Sequence, residues 1–256
     1  MDSRIAKEIG MRFAPVTTAF TNDKPPGAMQ FKEGARGCVI ALVTAAAKGK
    51  VAVVDRKTCG CPGGLVGMAF TNAYASMPGG IEYFLSTGRG EGYPEGEAYK
   101  KTPELAKAFT QQLPLNDIPF TYVVFRPLGQ VEPGDASQQL VSFYVNPDQL
   151  SALVVLANYG RPGSDNVIIP FGAGCLSVNL IPYLESQQPR PRAVVGLTDV
   201  TVRPLVDPDI LSFTVPFGMF LEMEANVSGS FLEKKAWAKV RARIGTDEAA
   251  GGEQGR

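Results

Sequence analysis

The stretch Val141-Ser142-Phe143-Tyr144-Val145-Asn146-Pro147-Asp148-Gln149-Leu150 passes from β-branched and aromatic residues, through an asparagine, into a run with helical character. Such side chains suit a pleated, half-buried surface, so residues 141–145 predict a strand. Asparagine is a preferred helix N-cap, so Asn146 predicts the start of a helix that continues to Tyr159. Strand, cap and helix follow in order.

The same alternation extends in both directions. Upstream, a short helix up to Phe13 and strands at residues 15–20, 51–54 and 121–128 are predicted, with a loop at 22–27 and a buried helix at 35–48 stopped by Gly49. A short helix at 64–70 precedes a glycine-rich, exposed insert at 79–96, and Thr102 and Pro103 cap and open a further helix. Downstream, strands are predicted at 167–170, 192–197 and 210–215, a helix at 175–186 that Pro182 interrupts or ends, and a final helix at 230–244 carrying Trp237. Helices alternating with about six to eight strands over long connections predict an α+β fold with a mixed β-sheet and flanking helices. One domain over residues 1–244 is expected, followed by a disordered tail at 245–256 that is rich in glycine and charge.

Composition narrows the partners. The 256 residues are 45% hydrophobic and 20% charged, enough to bury a substantial core. Lys plus Arg equals Asp plus Glu at 25 each, so no net field draws the chain to nucleic acid or an anionic membrane. The charged N-terminus lacks a secretory pattern, and the apolar run at 39–47 is too short to span a bilayer; both point to a cytoplasmic protein. The absence of histidine excludes Cys-His and Ser-His catalysis.

Four cysteines carry the functional expectation. Cys38 lies in Gly37-Cys38-Val39, Cys59 and Cys61 in Thr58-Cys59-Gly60-Cys61-Pro62-Gly63-Gly64, and Cys175 in Phe171-Gly172-Ala173-Gly174-Cys175. These small-residue loops feed predicted helices, whose N-termini favour a thiolate over a thiol. In a reducing compartment such cysteines are free, ligating or catalytic rather than disulfide-bonded. The expectation is therefore a metal centre held by Cys38, Cys59, Cys61 and Cys175, an iron–sulfur cluster of the 4Fe-4S type, with Gly60 letting the backbone wrap around inorganic sulfide. Zinc is the alternative metal. Redox or electron transfer with a partner protein follows from the cluster. Three other readings stay open: cysteines as core filler; thiol chemistry at Cys59 or Cys61 assisted by helix amides, Lys57 or Arg56; and an organic ligand enclosed by the glycine-rich loops. Exposed apolar surface points to a homo-oligomer.

Other stretches carry weaker signals. Gly88-Arg89-Gly90-Glu91-Gly92 and Gly160-Arg161-Pro162-Gly163-Ser164-Asp165 lack the spacing of phosphate-binding loops and read as ordinary loops. Asp55 and Asp199 are further carboxylates, while Glu222 and Glu224 alternate as neighbours on one face of a strand would and read as a solvated edge. Phe217 to Leu221, with Met223, read as core or subunit contact. Arg126 and Arg203 each precede proline at a strand end and read as salt-bridge partners.

Taken in order, Cys38 with its small-residue helix, Cys59-Gly60-Cys61-Pro62-Gly63-Gly64-Leu65-Val66-Gly67-Met68, Phe125-Arg126-Pro127-Leu128, Tyr144-Val145-Asn146-Pro147-Asp148-Gln149-Leu150, Phe171-Gly172-Ala173-Gly174-Cys175, Arg192-Ala193-Val194-Val195-Gly196-Leu197-Thr198-Asp199 and Leu211-Ser212-Phe213-Thr214-Val215-Pro216 resemble the DUF169 family of prokaryotic proteins. The resemblance runs from about Ile9 to Trp237. It implies family cysteine positions at Cys38, at Cys59 or Cys61, and at Cys175, and it implies no particular activity.

Overall fold

The structure, a computed structural model, describes residues 1–88, 95–132 and 134–251, with residues 245–251 as backbone alone. Its sheet is assembled from strands β1 (Val16–Thr21), β2 (Ala52–Asp55), β3 (Tyr122–Pro127), β4 (Gln138–Val145), β5 (Val167–Ile168), β6 (Ala193–Gly196) and β7 (Leu211–Pro216). The helices are α1 (Arg4–Glu8), α2 (Val39–Ala47), α3 (Pro62–Gly67), α4 (Ile81–Phe84), α5 (Pro103–Gln112), α6 (Pro147–Tyr159), α7 (Ile181–Ser186), α8 (Phe217–Ala225) and α9 (Lys235–Gly251). The described strands form one 7-stranded sheet in the order β2-β3-β1-β4-β7-β6-β5. Neighbours are antiparallel except β5 and β6, which are parallel, so the sheet is mixed and the fold is α+β, as its alternating pattern predicts.

β4 joins the two cores because both its faces are buried. Tyr144 points into a core shared with α2, α3 and α7, while Val141, Phe143 and Val145 point into a second core with α1, α6 and α8. Burial on both faces accounts for its near-continuous apolar run. The Asn146 cap is a full capping box: its side chain accepts from Gln149 N, and Gln149 Oε1 accepts from Asn146 N, each at 3.0 Å. Gln149 also donates to the Gly10 carbonyl at 2.8 Å, which ties α6 to the chain just after α1.

Several boundaries differ from expectation for local reasons. The first helix stops at Glu8 because Gly10, at φ +62°, turns the chain. α9 runs on to Gly251, past the expected stop at Ile244. Residues 217–225 are a helix, so Glu222 and Glu224 are not strand neighbours. Glu222 pairs with Arg161 (Nε to Oε1, 2.9 Å), and Glu224 accepts from Ser3 Oγ and the Arg4 amide. Met219, Phe220 and Met223 are buried in the second core. Pro182 ends nothing: the π-helical turn Leu176–Leu180 leads straight into α7, whose first turn holds the proline and tolerates its missing N–H. Residues 89–92 of the Gly88 loop lie outside the described residues.

Candidate functional site

The cysteines sit where α2, α3 and the 174–180 turn approach one another. Cys38 is the N-cap of α2 and Cys61 the N-cap of α3, both half-buried; Cys59 and Cys175 are buried. Loops that deliver thiols to helix N-termini are thus present as the sequence suggests. The chemistry of those thiols is different.

Burial dominates the titration of Cys38, Cys59 and Cys175. Cys59 is pushed up to about 12 by burial, against the lowering effect of the Cys61 backbone amide. Burial also raises Cys175 well above an ordinary thiol, with the neighbouring Cys61, Cys38 and Cys59 adding to it. Cys38 is raised by burial although the Ile40 and Ala41 amides at the start of α2 oppose the shift. Two of the thiols act as hydrogen-bond donors: Cys175 to the Gly63 carbonyl at 3.0 Å and Cys59 to the Cys61 carbonyl at 3.8 Å.

The glycines around them serve packing. A Cβ at Gly64 would stand 2.8 Å from the Cys59 sulfur, and one at Gly67 would stand 2.5 Å from the Cys175 sulfur. Gly60 lies directly against the Ala35 carbonyl, so its missing side chain admits that backbone rather than an inorganic sulfide. Asn179, one turn beyond Cys175, donates to the Gly67 carbonyl at 2.9 Å. α3 is therefore gripped along one side by residues of the 174–180 turn.

Among the described residues no three or more Cys, Asp or Glu side chains converge closely enough to hold a metal ion. This corrects the expectation that Cys38, Cys59, Cys61 and Cys175 make the chain an iron–sulfur, electron-transfer protein. The sequence places Cys38 and Cys61 at helix starts, but the folded chain does not draw the four sulfurs into one ligand set, and Cys175 and Cys59 donate hydrogen bonds to backbone carbonyls.

The polar groups nearby are committed as well. Asp199 is buried and accepts from Tyr99 Oη (3.0 Å), Gly174 N (3.2 Å) and both the amide (3.1 Å) and hydroxyl (2.9 Å) of Thr201. Tyr74 is pushed up by burial, with Cys175, Cys61 and Asp199 contributing. Arg56, a candidate activator of a thiolate, donates to the Phe70, Phe120 and Ile118 carbonyls and pairs with Asp117. Asp55 closes the Lys57–Thr58 turn by accepting from both amides at 2.8 Å. Arg203 donates to the Leu197, Asp207, Pro208 and Ile210 carbonyls, knitting a loop rather than forming an ion pair.

A cavity of about 500 Å³ opens elsewhere, beside α7. Ile181, Leu184, Pro114 and Pro189 supply its apolar wall, and Glu185, Gln188, Arg190 and Arg192 its polar groups. Glu185 is buried and holds Arg192 through Nε at 3.1 Å and Nη2 at 2.6 Å. Arg190 pairs with Asp165 at 2.5 Å, but both side chains are exposed, 50% and 64%. The run Gln188-Pro189-Arg190-Pro191-Arg192 was the available sequence signal, since arginines interleaved with prolines sit on a stiff, extended segment.

A family model described as "Uncharacterised ArCR" matches residues 4–226. The chain belongs to this family, DUF169. The match takes in every strand of the described sheet and all four cysteines, and leaves residues 1–3 and 227–256, with α9, outside. No curated protein and no solved structure matches the chain. Among the described residues of this DUF169 protein, no helix is long and apolar enough to cross a membrane.

Proposed function

We propose that this DUF169 protein binds a small organic acid, without a metal, in the groove beside α7. The observation that supports the reading is Arg190: a cation at a cavity of about 500 Å³, whose partner among the described residues is the exposed Asp165. Cavities of this size suit small ligands, and an apolar wall with a few placed polar groups is the usual lining. An exposed ion pair contributes little, so a carboxylate can take the Arg190 guanidinium from Asp165 at small cost. Arg192 stays with the buried Glu185 and shapes the floor. The ligand's apolar body lies along Ile181 and Leu184, and Gln188 hydrogen-bonds its polar end.

Thermal unfolding of the full chain with straight-chain carboxylates, butyrate to decanoate, tests the reading. The midpoint rises with carboxylate concentration and with chain length, because a ligand that binds only the folded state stabilises it. Arg190→Gln removes the rise while the free protein keeps its own midpoint, since the pair it breaks is exposed. Midpoints indifferent to every carboxylate, or a rise that Arg190→Gln leaves intact, would reject the groove as the site.

A further inference from the structure

The Lys100 ammonium rests against two aromatic rings that touch each other. Its Nζ lies 4.8 Å from the Phe109 centroid and 4.6 Å from the Phe171 centroid, and those rings stand 5.1 Å apart at 52°. Tyr99 meets Phe171 edge-on at 6.1 Å and is itself fixed by its hydroxyl bond to Asp199. None of the ion pairs among the described residues includes Lys100. Among the described residues these two ring contacts are what meets the charge, and its position shows that one ammonium group can lie against both rings at once.

We propose that Phe109 and Phe171, walled by Tyr99, form a cage for the methylated ammonium group of a small free organic cation, and that Lys100 fills this cage in the free chain. The physics favours exchange. Ring faces attract cations, and a primary ammonium is strongly hydrated in water whereas a quaternary one is not. Swapping the two returns Lys100 to water and places the poorly hydrated cation against the rings. The swap needs only rotation of the Lys100 side chain, because its amide stays bonded to the Leu85 carbonyl at 2.9 Å. Phe171 is 48% exposed, so the cage is open to solvent. This site is made by other elements than the groove beside α7 and goes beyond that reading.

Calorimetric titration of the full chain with choline chloride and tetramethylammonium chloride, at ionic strength balanced with potassium chloride, tests it. Lys100→Gln removes the internal competitor and tightens binding about tenfold over the native chain. Adding Phe171→Ala to that variant weakens binding by about tenfold or more, with circular dichroism confirming that the exposed change leaves the fold intact. Phosphatidylcholine vesicles separate the sources of the group: choline binding without vesicle sedimentation assigns the cage to a free cation, and sedimentation overturns that assignment. Lack of saturable binding by Lys100→Gln, or equal affinity with and without Phe171, overturns the cage.

Discussion

The Cys175 thiol donates a 3.0 Å hydrogen bond to the carbonyl of Gly63, 112 positions away in the chain. Four residues on, Asn179 donates to the Gly67 carbonyl, four residues beyond Gly63. Equal spacing on the two elements lets the 174–180 turn read one edge of α3, and Cys175 does so as a protonated donor. The cysteine is in this respect a packing residue with a polar end.

Gly67→Ala is expected to destabilise the protein by about 1–3 kcal/mol, because the new methyl falls 2.5 Å from the Cys175 sulfur and 2.6 Å from its Cβ. Cys175→Ala in the same chain does not rescue it, since the Cβ remains. Urea midpoints of the single and double variants check both statements.

Stability is expected to fall as pH rises above about 9. The Cys59 thiol moves from 9.0 to about 12 on folding, and Cys175 also moves up. The folded chain then keeps protons that the unfolded chain has lost, so unfolding becomes easier by up to about 1.4 kcal/mol per pH unit for each thiol. The contribution is complete below pH 9 and is lost as the pH approaches 12. Urea midpoints at pH 8 and pH 10, with Cys59→Ala flattening the difference, provide the measurement.

At pH 8 the same upward shift keeps Cys59 protonated. Alkylation of Cys59 and Cys175 is expected to be at least about a hundredfold slower in the folded protein than in urea. Peptide mass spectrometry after timed iodoacetamide treatment measures it, and equal rates in the two states would contradict the burial described here.

Asn146→Ala removes one half of the capping box and is expected to cost about 1 kcal/mol. Gln149→Ala costs more, because it also frees the Gly10 carbonyl from its 2.8 Å bond. Paired denaturation curves with unchanged m-values distinguish the two.

Asp199→Ala leaves the Gly174 amide and the Tyr99 hydroxyl without the acceptor they share, and the Thr201 amide with Tyr99 Oη alone, and is expected to cost about 1–3 kcal/mol. Faster hydrogen exchange at Gly174 and Thr201 reports the local loss, whereas protection equal to the native chain's would show that these bonds are dispensable.

Patterns confined to neighbouring residues carried most of the fold. Residues 141–150 read directly as strand, cap and helix because β-propensity and capping act within a few residues. Residues 217–225 did not read as a helix: the alternation of Glu222 and Glu224 imitates a strand, and their partners Arg161 and Ser3 are remote along the chain. Pro182 misled in the same way, since a local rule takes proline as a stop and knows nothing of the π turn before it.

Residue types and local spacing were enough for the strand and helix alternation, the α+β class and the delivery of Cys38 and Cys61 to helix starts, and the order of motifs carried the resemblance to the family. The upward shift of Cys38, Cys59 and Cys175, the hydrogen bonds that Cys59 and Cys175 donate and the groove beside α7 were decided by the folded chain. The reason is physical: desolvation and hydrogen-bond direction depend on which distant backbone packs against a side chain, as Gly63 does against Cys175.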